Sequence, residues 1–332
     1  MISEQQLPSY RNSTAGYFVY RSCCPVCSND KKRLLVNEPF DDGPIYEHIR
    51  EYYKKKGLFE PHYLEGAFYR VVECTDCRLI FQEFVPNDEL LCRIYAHWTF
   101  PEAAATRNLE NLGSNVQQYV KEQLLLKYWS NDRKLRVLDY GMGHGRWCEI
   151  AYAFGHKVYG YEFEDTREKN ATQRGVVNVV AYDDIAKGEF DFINAEQVFE
   201  HLTQPMEVLR HLVKGLKPGG MIRIGVPSGI LVKRNLSRGT GYDFRKRQRF
   251  GLNPIEPLQH LNCFTAQSLV RLGNEAGLNR YLFPIIHLIA AQQNWRFPKG
   301  FLYNILHPLY TRLRYNGGSE QYFQKIPKSV SK

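Results

Sequence analysis

Nowhere in its 332 residues does the chain hold an apolar run of the ~18 residues that a membrane-spanning helix needs, so no span is expected. The opening stretch, MISEQQLPSY, has neither the basic start nor the apolar core of a secretory leader, which points to a cytoplasmic location. In a chain without export signals, the 8 cysteines are not expected to form a disulfide framework. What is present is ordinary for a folded protein: 43% hydrophobic and 24% charged residues, enough to build a large core. The length suits about two domains.

The net charge of +9 is unevenly spread. Lys233, Arg234, Arg238, Arg245, Lys246, Arg247 and Arg249 crowd one stretch, and Arg296, Lys299, Arg312 and Arg314 sit in an aromatic-rich tail. Such clusters attract polyanions or anionic lipid, or are simply solvated loop surface. The tail, WRFPKGFLYNILHPLYTRLRY, reads as a helix that either closes the core or seeks a charged surface.

Four cysteines pair by spacing, Cys24-Pro-Val-Cys27 and Cys74-Thr-Asp-Cys77. Each C-x-x-C turn presents two thiolates to one ion, and two of them make the tetrahedral donor set of structural zinc. FYRVVE and RLIFQEF flank the second knuckle as a short hairpin. The residues between the knuckles, including the helical-looking IYEHIREYYKKKG, must loop out of the metal site. Cys23 is a possible substitute for Cys24, while Cys92, Cys148 and Cys263 read as small buried hydrophobes.

Beyond a helix at VQQYVKEQLLLKYW the pattern changes. LRVLDY, KVYGYE, VVNVVAY, FDFINAE and MIRIGVP are short apolar runs separated by helix-length segments, the alternation of a parallel sheet covered on both faces. The first of these runs ends in Asp139 and leads into GMGHG, with Gly141, Gly143 and Gly145 at alternate positions. Bare backbone there lets a ligand lie against the strand ends. Glu162, at the tip of the second strand, stands where a carboxylate accepts ribose hydroxyls. The turn is not the G-x-G-x-x-G of dinucleotide binders and has no Lys-Ser/Thr for phosphate, so a nucleoside-bearing cofactor is implied.

From Arg136 to Pro227 the sequence resembles the class I S-adenosylmethionine-dependent methyltransferases. VLDYGMGHG is similar to their first motif and Glu162 to the acid of their second. AYDDI resembles the segment flanking the adenine, which implies contacts from Asp183 or Asp184. FDFINAEQVFEHLTQP, with Glu196 among its cofactor-side residues, and KGLKPGGMIRIGVPSG resemble the later motifs of the small-molecule branch, as does QHLNCFTAQSL. The two knuckles ahead of such a domain further resemble sugar C-methyltransferases and related glycan-cluster enzymes. The resemblance implies an α/β, doubly wound, mostly parallel seven-stranded sheet behind a zinc-ribbon-like module, with S-adenosylmethionine as cofactor and Asp139 orienting its amino acid end. The acceptor it implies is a small molecule or glycan, with nucleotide- and lipid-linked sugars among the candidates.

The expected organisation is a zinc-ribbon-like module at 1–98, a linker and leading helix at 99–130, the cofactor domain at 131–292, and the tail at 293–332. Within the cofactor domain, 228–259 forms a basic loop whose Tyr242, Phe244 and Phe250 could stack on a ring. His260 is the first candidate for general base and His201 the second. His201 also follows Glu200 in the series Gln197-x-x-Glu200-His201, where the amide of Gln197 stands in place of a carboxylate and weakens hard-cation binding. Two other functions fit the same residues: an RNA methyltransferase tracking phosphates along 233–249, and a non-catalytic assembly protein that only binds cofactor.

Overall fold

The computed structural model describes residues 16–55, 57–98, 112–237, 252–292, 299–315 and 319–327. Most of the basic loop (238–251, with Tyr242, Phe244 and Phe250) and Arg296 lie outside the described residues. Among the described residues no helix is long and apolar enough to cross a membrane.

Seven strands form the main sheet: β6 (Arg136–Tyr140), β7 (Lys157–Tyr161), β8 (Asn178–Val179), β9 (Phe190–Glu196), β10 (Leu216–Gly225), β12 (Leu278–Tyr281) and β13 (Glu320–Lys325). Their order is β12-β13-β10-β9-β6-β7-β8. The pairings β6–β7, β7–β8, β6–β9 and β9–β10 are parallel, and β13 runs antiparallel to both of its neighbours. This mixed sheet with helices on both faces is the doubly wound, mostly parallel seven-stranded arrangement that the resemblance implied. The segment read as strand VVNVVAY shortens to β8 and turns at once into the helix Tyr182–Ile185. Nor is the tail an appendage to the sheet. The sequence division ended the cofactor domain at 292, yet β13 lies inside the sheet, because its alternating Gln321-Tyr322-Phe323 needs partners on both edges and both faces.

Alternation along the strands builds two cores, as a buried sheet requires. Val137, Phe192, Met221 and Tyr322 face the helix Leu112–Ser130, packing with Leu125, Leu126 and Trp147. Leu138, Ile193, Ile222 and Phe323 face the other way, onto Leu209 and Leu212 of the helix Pro205–Gly215 and Leu269 and Leu272 of Ala266–Glu275.

The first face carries a polar row near the carboxyl ends of the strands. Asp139, Asn194, Arg223 and Tyr322 are in register on β6, β9, β10 and β13. Asn194 donates to Asp139 Oδ1 at 2.8 Å, and Arg223 donates to Asn194 Oδ1 at 2.7 Å. The Arg223 guanidinium has no exposed surface and pairs with Glu122 at 2.8 Å, Glu320 at 3.3 Å, and Glu196.

N-terminally, β2 (Lys32–Pro39), β3 (Phe68–Cys74) and β4 (Ile80–Gln82) form an antiparallel sheet whose fourth strand is β11 (Asn262–Cys263), far along the chain. β1 (Phe18–Tyr20) pairs separately with β5 (Phe84–Pro86). The expected excursion between the knuckles is the helix Gly43–Lys54, capped by Asp42. Its buried Ile45, Ile49 and Tyr53 share one core with Phe40, Tyr69 and Trp98, and also with Val232, Leu252, Ile255, Leu258 and Cys263. Residues of 232–237 and 252–263 thus pack into the N-terminal module, which the linear division at 98 could not show.

Replacing Arg223 with Met leaves Glu320 and Glu196 without their cation. The expected cost is about 3–5 kcal/mol of unfolding free energy, read by urea denaturation at neutral pH; an unchanged midpoint would refute the assignment.

Candidate active site and zinc centre

The zinc centre assembles from two turns. Cys24 to Cys27 closes on itself through Ser28 N–H donating to Cys24 O at 2.9 Å, and the β3–β4 hairpin turns at Cys74–Cys77 with Arg78 in the left-handed region. Sulfurs meet crosswise, Cys24 with Cys77 and Cys27 with Cys74 at 3.5 Å each, and all four lie within 4.8 Å of one another. A tetrahedral ion with Zn–S near 2.3 Å sets sulfurs about 3.8 Å apart, so the four thiolates fit zinc as they stand. All four positions are filled by protein, which makes the site structural. Cys23 is outside the group. Cys148 and Cys263 are buried as expected, but Cys92 is exposed on the helix Asp88–Arg93: the helix turns Leu90 inward instead.

Strand order reverses between β6 and β9, and the crevice above that point is where an open α/β sheet binds its ligand. The turn after β6 is fastened to the end of β7. Gly141 and Met142 donate to Tyr161 O at 2.8 and 3.0 Å, and Gly143 N–H donates to Glu162 Oε2 at 2.7 Å. Glu162 Oε1 accepts from the amides of Phe163 and Glu164 at 3.1 and 3.2 Å.

The three glycines serve different ends. All have positive φ, but a Cβ on Gly141 would meet Val198 Cγ2 at 2.5 Å, and one on Gly145 would meet the Ala171 Cβ at 2.9 Å. Those two are bare so that the protein can pack on itself. Only at Gly143 does a Cβ meet nothing within 4 Å. That open cradle, next to the Glu162 carboxylate, fits a nucleoside cofactor lying against the backbone.

Other expected cofactor residues fall in varied places. Asp139 is 3% exposed, held by Asn194 beneath the turn, and burial pushes its carboxyl up to about 7. Glu196 is spent on Arg223. Asp183 and Asp184 are exposed, and Asp184 pairs with Lys187 at 3.0 Å. Burial raises Glu122 as well, to about 8, while in Glu320 the Arg223 and Lys121 charges outweigh burial and hold it at about 2.

The two histidines, 59 positions apart in the chain, come together. Their ring centroids are 4.8 Å apart and nearly perpendicular. His201 Nδ1–H donates to Gln259 O at 2.9 Å, and His260 Nδ1–H donates to Asn253 O at 2.5 Å. Desolvation, with the His260 charge next, takes His201 down to about 3; desolvation also lowers His260, so both rings are neutral at pH 7. Glu200 lies beside them, 1% exposed, its carboxyl pushed well up by burial. His260 is therefore no loose loop residue but a buried one with a fixed tautomer.

Residues that the sequence did not single out hold this arrangement. Asn262 Nδ2 donates to Phe199 O and Leu202 O at 3.0 and 2.7 Å, and its N–H donates to Glu200 O at 3.0 Å. Arg21, from the N-terminal module, donates to Asn262 Oδ1 at 2.8 Å and to Thr203 O at 2.7 Å. The Tyr95 hydroxyl lies 3.3 Å from His201 Nδ1, on the π-helical turn Ile94–Trp98. Burial pushes that phenol up to about 12, with Arg167, Glu200 and Glu162 among the charges that act on it. A π-turn often marks such a place, but no sequence pattern announced it.

A model of the methyltransferase-domain family matches residues 112–281, just over half of the chain. The chain belongs to this family, and it is a class I S-adenosylmethionine-dependent methyltransferase. Among solved structures, the S-adenosylmethionine-dependent methyltransferase from Mesorhizobium loti is 14% identical, with a TM-score of 0.38 over 57% of this chain and 91% of that one. The plantazolicin methyltransferase BpumL, with a monoazolic desmethyl analogue and SAH, is 15% identical, with a TM-score of 0.47 over 71% and 94%. The [4+2]-cyclase SpnF is 18% identical, with a TM-score of 0.37 over 64% and 81%. No curated protein matches the sequence.

Two outcomes follow from the geometry. Elemental analysis should find about one zinc per chain, and its removal by chelation should cost on the order of 5 kcal/mol, since Cys24, Cys74 and Cys77 sit in the same core as the main sheet. An apo-protein melting like the zinc form would contradict this. Asp139 titrates at about 7 folded and near 3.9 unfolded. Its raised value gives stability that is full below pH ~4 and lost as pH rises toward 7. In cofactor-free protein, Asp139→Asn should flatten that fall, by up to about 4 kcal/mol, and an unchanged profile would exclude Asp139 as its source.

Proposed function

We propose that the enzyme transfers the methyl group of S-adenosylmethionine to a small-molecule or glycan-type acceptor, with nucleotide- and lipid-linked sugars as the leading candidates. The observation that carries this reading is the pair of neutral, carbonyl-pinned histidines, with tyrosines of the N-terminal module beside Gln259 and His201. Gln259 Nε2 donates to Tyr53 Oη at 2.8 Å, and Tyr52 and Tyr95 lie alongside. Tyr53 is itself buried, and the partly buried Tyr52 and Tyr95 are the flat, hydroxyl-bearing rings that would suit the faces and edges of a sugar. The Nε2 of a pinned imidazole is free to take a proton from an acceptor hydroxyl or enol. His260 is our first choice for that base, with His201 beside it.

In this proposal the S-adenosylmethionine supplies an electrophilic methyl, and the chain supplies position. Gly141, Gly143 and Gly145 shape the turn, and Glu162 takes the ribose. Asp183 or Asp184 meets the adenine edge. Asp139 and Glu196 act from below, as part of a row with more carboxylates than cations, which favours a cofactor bearing a sulfonium. The division into a module at 1–98 and a cofactor domain from 131 is retained as a description of function, not of packing. The RNA reading has less support: Lys233, at the start of the basic loop, pairs with Glu73 at 3.1 Å.

Glu162→Ala should weaken cofactor binding by about 10- to 100-fold, the range for losing charge-assisted hydrogen bonds, with the fold retained and a lower melting temperature from the lost bonds to Gly143, Phe163 and Glu164; calorimetry giving wild-type affinity would remove the ribose assignment. Incubating the protein with methyl-labelled cofactor and cell extract should place label in small polar or glycan fractions. Label in RNase-sensitive material would replace this proposal with the RNA reading, and cofactor binding without any label would favour a non-catalytic role.

A further inference from the structure

The helix Lys299–Tyr315 turns apolar side chains outward. Leu302, Leu306 and Tyr310 follow one another at intervals of four, with Tyr303 and His307 beside them, and all are exposed, Leu302 at 60% and Leu306 at 52%. Tyr303 stacks on His307 with ring centroids 4.6 Å apart. On the opposite side Asn304 and Pro308 are buried, and Arg312 donates to Phe283 O. That inward side closes on the short helix Ile285–Ala290, whose own Ile286 is 66% exposed. Single exposed leucines are ordinary on a protein surface, whereas a face of them marks an interaction site.

The charge around this face identifies its occupant. From Ala276 to Ser319 the chain has no Asp or Glu, yet Arg280, Arg296, Lys299, Arg312 and Arg314 all fall there. The acids that bound the stretch are both taken, Glu275 by Arg271 at 2.9 Å and Glu320 by Arg223 at 3.3 Å. Burial and then the Arg312 charge lower Arg280, and burial and then the Lys121 charge lower His307, so each faces a cation and not an acid. A second copy of the chain would bring the same positive charge to the same face and be repelled. A phosphate chain such as RNA would meet leucines and tyrosines where it needs cations. An anionic bilayer matches both features. Leucines enter the acyl boundary, tyrosine rings sit at headgroup level with their hydroxyls in water, and the cations meet the lipid phosphates and carboxylates. The helix is not long and apolar enough to cross a bilayer, so on such a surface it lies in the plane.

We infer that the face of Lys299–Tyr315 carrying Leu302, Tyr303, Leu306 and Tyr310, with the exposed Ile286 of the helix packed against it, is a docking surface for an anionic lipid bilayer. The inference stands apart from the acceptor proposal: it places the enzyme at a membrane surface whatever molecule it methylates.

The test is co-sedimentation of the full-length, zinc-loaded protein with vesicles of phosphatidylcholine alone, or of phosphatidylcholine carrying about 30% phosphatidylserine, at about 0.15 M salt. Expected is binding to the anionic vesicles at least about tenfold tighter than to the neutral ones, weakening as salt rises. Leu302→Gln with Leu306→Gln should reduce that binding at least about tenfold. Lys299→Gln with Arg314→Gln should erase most of the preference for anionic vesicles, since each basic residue near the surface contributes roughly fivefold. Zinc content and S-adenosylmethionine affinity at wild-type values mark both variants as folded. No binding to the anionic vesicles, or undiminished binding by the leucine variant, would overturn the surface. A dimer that the leucine variant dissolves, with no vesicle binding, would assign the face to a second copy; retention on polyuridylate in place of vesicles would assign the stretch to RNA. Labelled acceptor without vesicle binding would end the docking surface and leave the acceptor proposal standing; vesicle binding without labelled acceptor would do the reverse.

Discussion

A guanidinium with no exposed surface, in an interior strand of the sheet, is the constraint around which the cofactor domain is arranged. Arg223 cannot shed its charge, and a lone ion at that depth would cost more than the whole domain is worth in stability. It is tolerated because three elements bring carboxylates to it: Glu122 from the helix Leu112–Ser130, Glu196 from the end of β9, and Glu320 from the start of β13. Each is far from the others in sequence. The arginine therefore specifies which strands and which helix must meet, and at what register, more sharply than apolar packing alone. Through Asn194 it also sets the position of Asp139, at the foot of the glycine turn. The cofactor crevice inherits its floor from this row.

The second constraint is the joint between the two halves of the chain. The zinc cysteines share a core with Leu138 and Ile193 of the main sheet, and with Phe264 just after β11, so the metal centre fixes a seam and not merely a small separate module. Across that seam, Gln82 donates to Glu256 O and His260 O at 3.0 Å each, and the Tyr69 hydroxyl donates to Ile255 O at 2.5 Å. These bonds satisfy carbonyls in the irregular stretch before β11. Without them His260 would sit on a loop with no fixed course. The zinc, which takes no part in chemistry, thereby acts on the position of the histidine pair.

How much of this was legible in the sequence depends on the range of the interaction. Local signals read well. The C-x-x-C knuckles, the strand–glycine–helix turn and the apolar alternation each reflect neighbours within a few positions, and each appears as expected. The glycines show the limit: their spacing marked the turn, but not that Gly141 and Gly145 answer to Val198 and Ala171 while only Gly143 faces open space. Long-range facts were silent. A single arginine in MIRIGVP reads as a solvent-facing residue of a strand. Glu320-Gln-Tyr-Phe-Gln-Lys reads as tail, and Asn262-Cys263 is too short to announce a strand of another sheet. His201 and His260 could be singled out by chemistry, yet nothing in the linear spacing said that their rings would touch.

That last point bears on how the site comes into being. Glu200 and His201 leave the end of β9 in the main sheet, whereas His260 enters β11, which pairs with β4 of the N-terminal sheet. The two groups face each other only when Asn262 has bonded Phe199, Leu202 and the Glu200 backbone, and when Arg21 has closed over Asn262 from the N-terminal side. Each of these links spans 60 or more positions, apart from the histidines' own backbone bonds. Neither half of the chain holds the histidine pair by itself. The buried, unbonded carboxylate of Glu200 is then a cost accepted at the joint, and a cost of that size persists only where the surrounding contacts overdetermine the geometry. Here they do: two imidazoles with fixed tautomers, a tyrosine on a π-turn, and an asparagine bonded to the carbonyls of Phe199, Glu200 and Leu202 hold the chain around that carboxylate from both halves of the molecule.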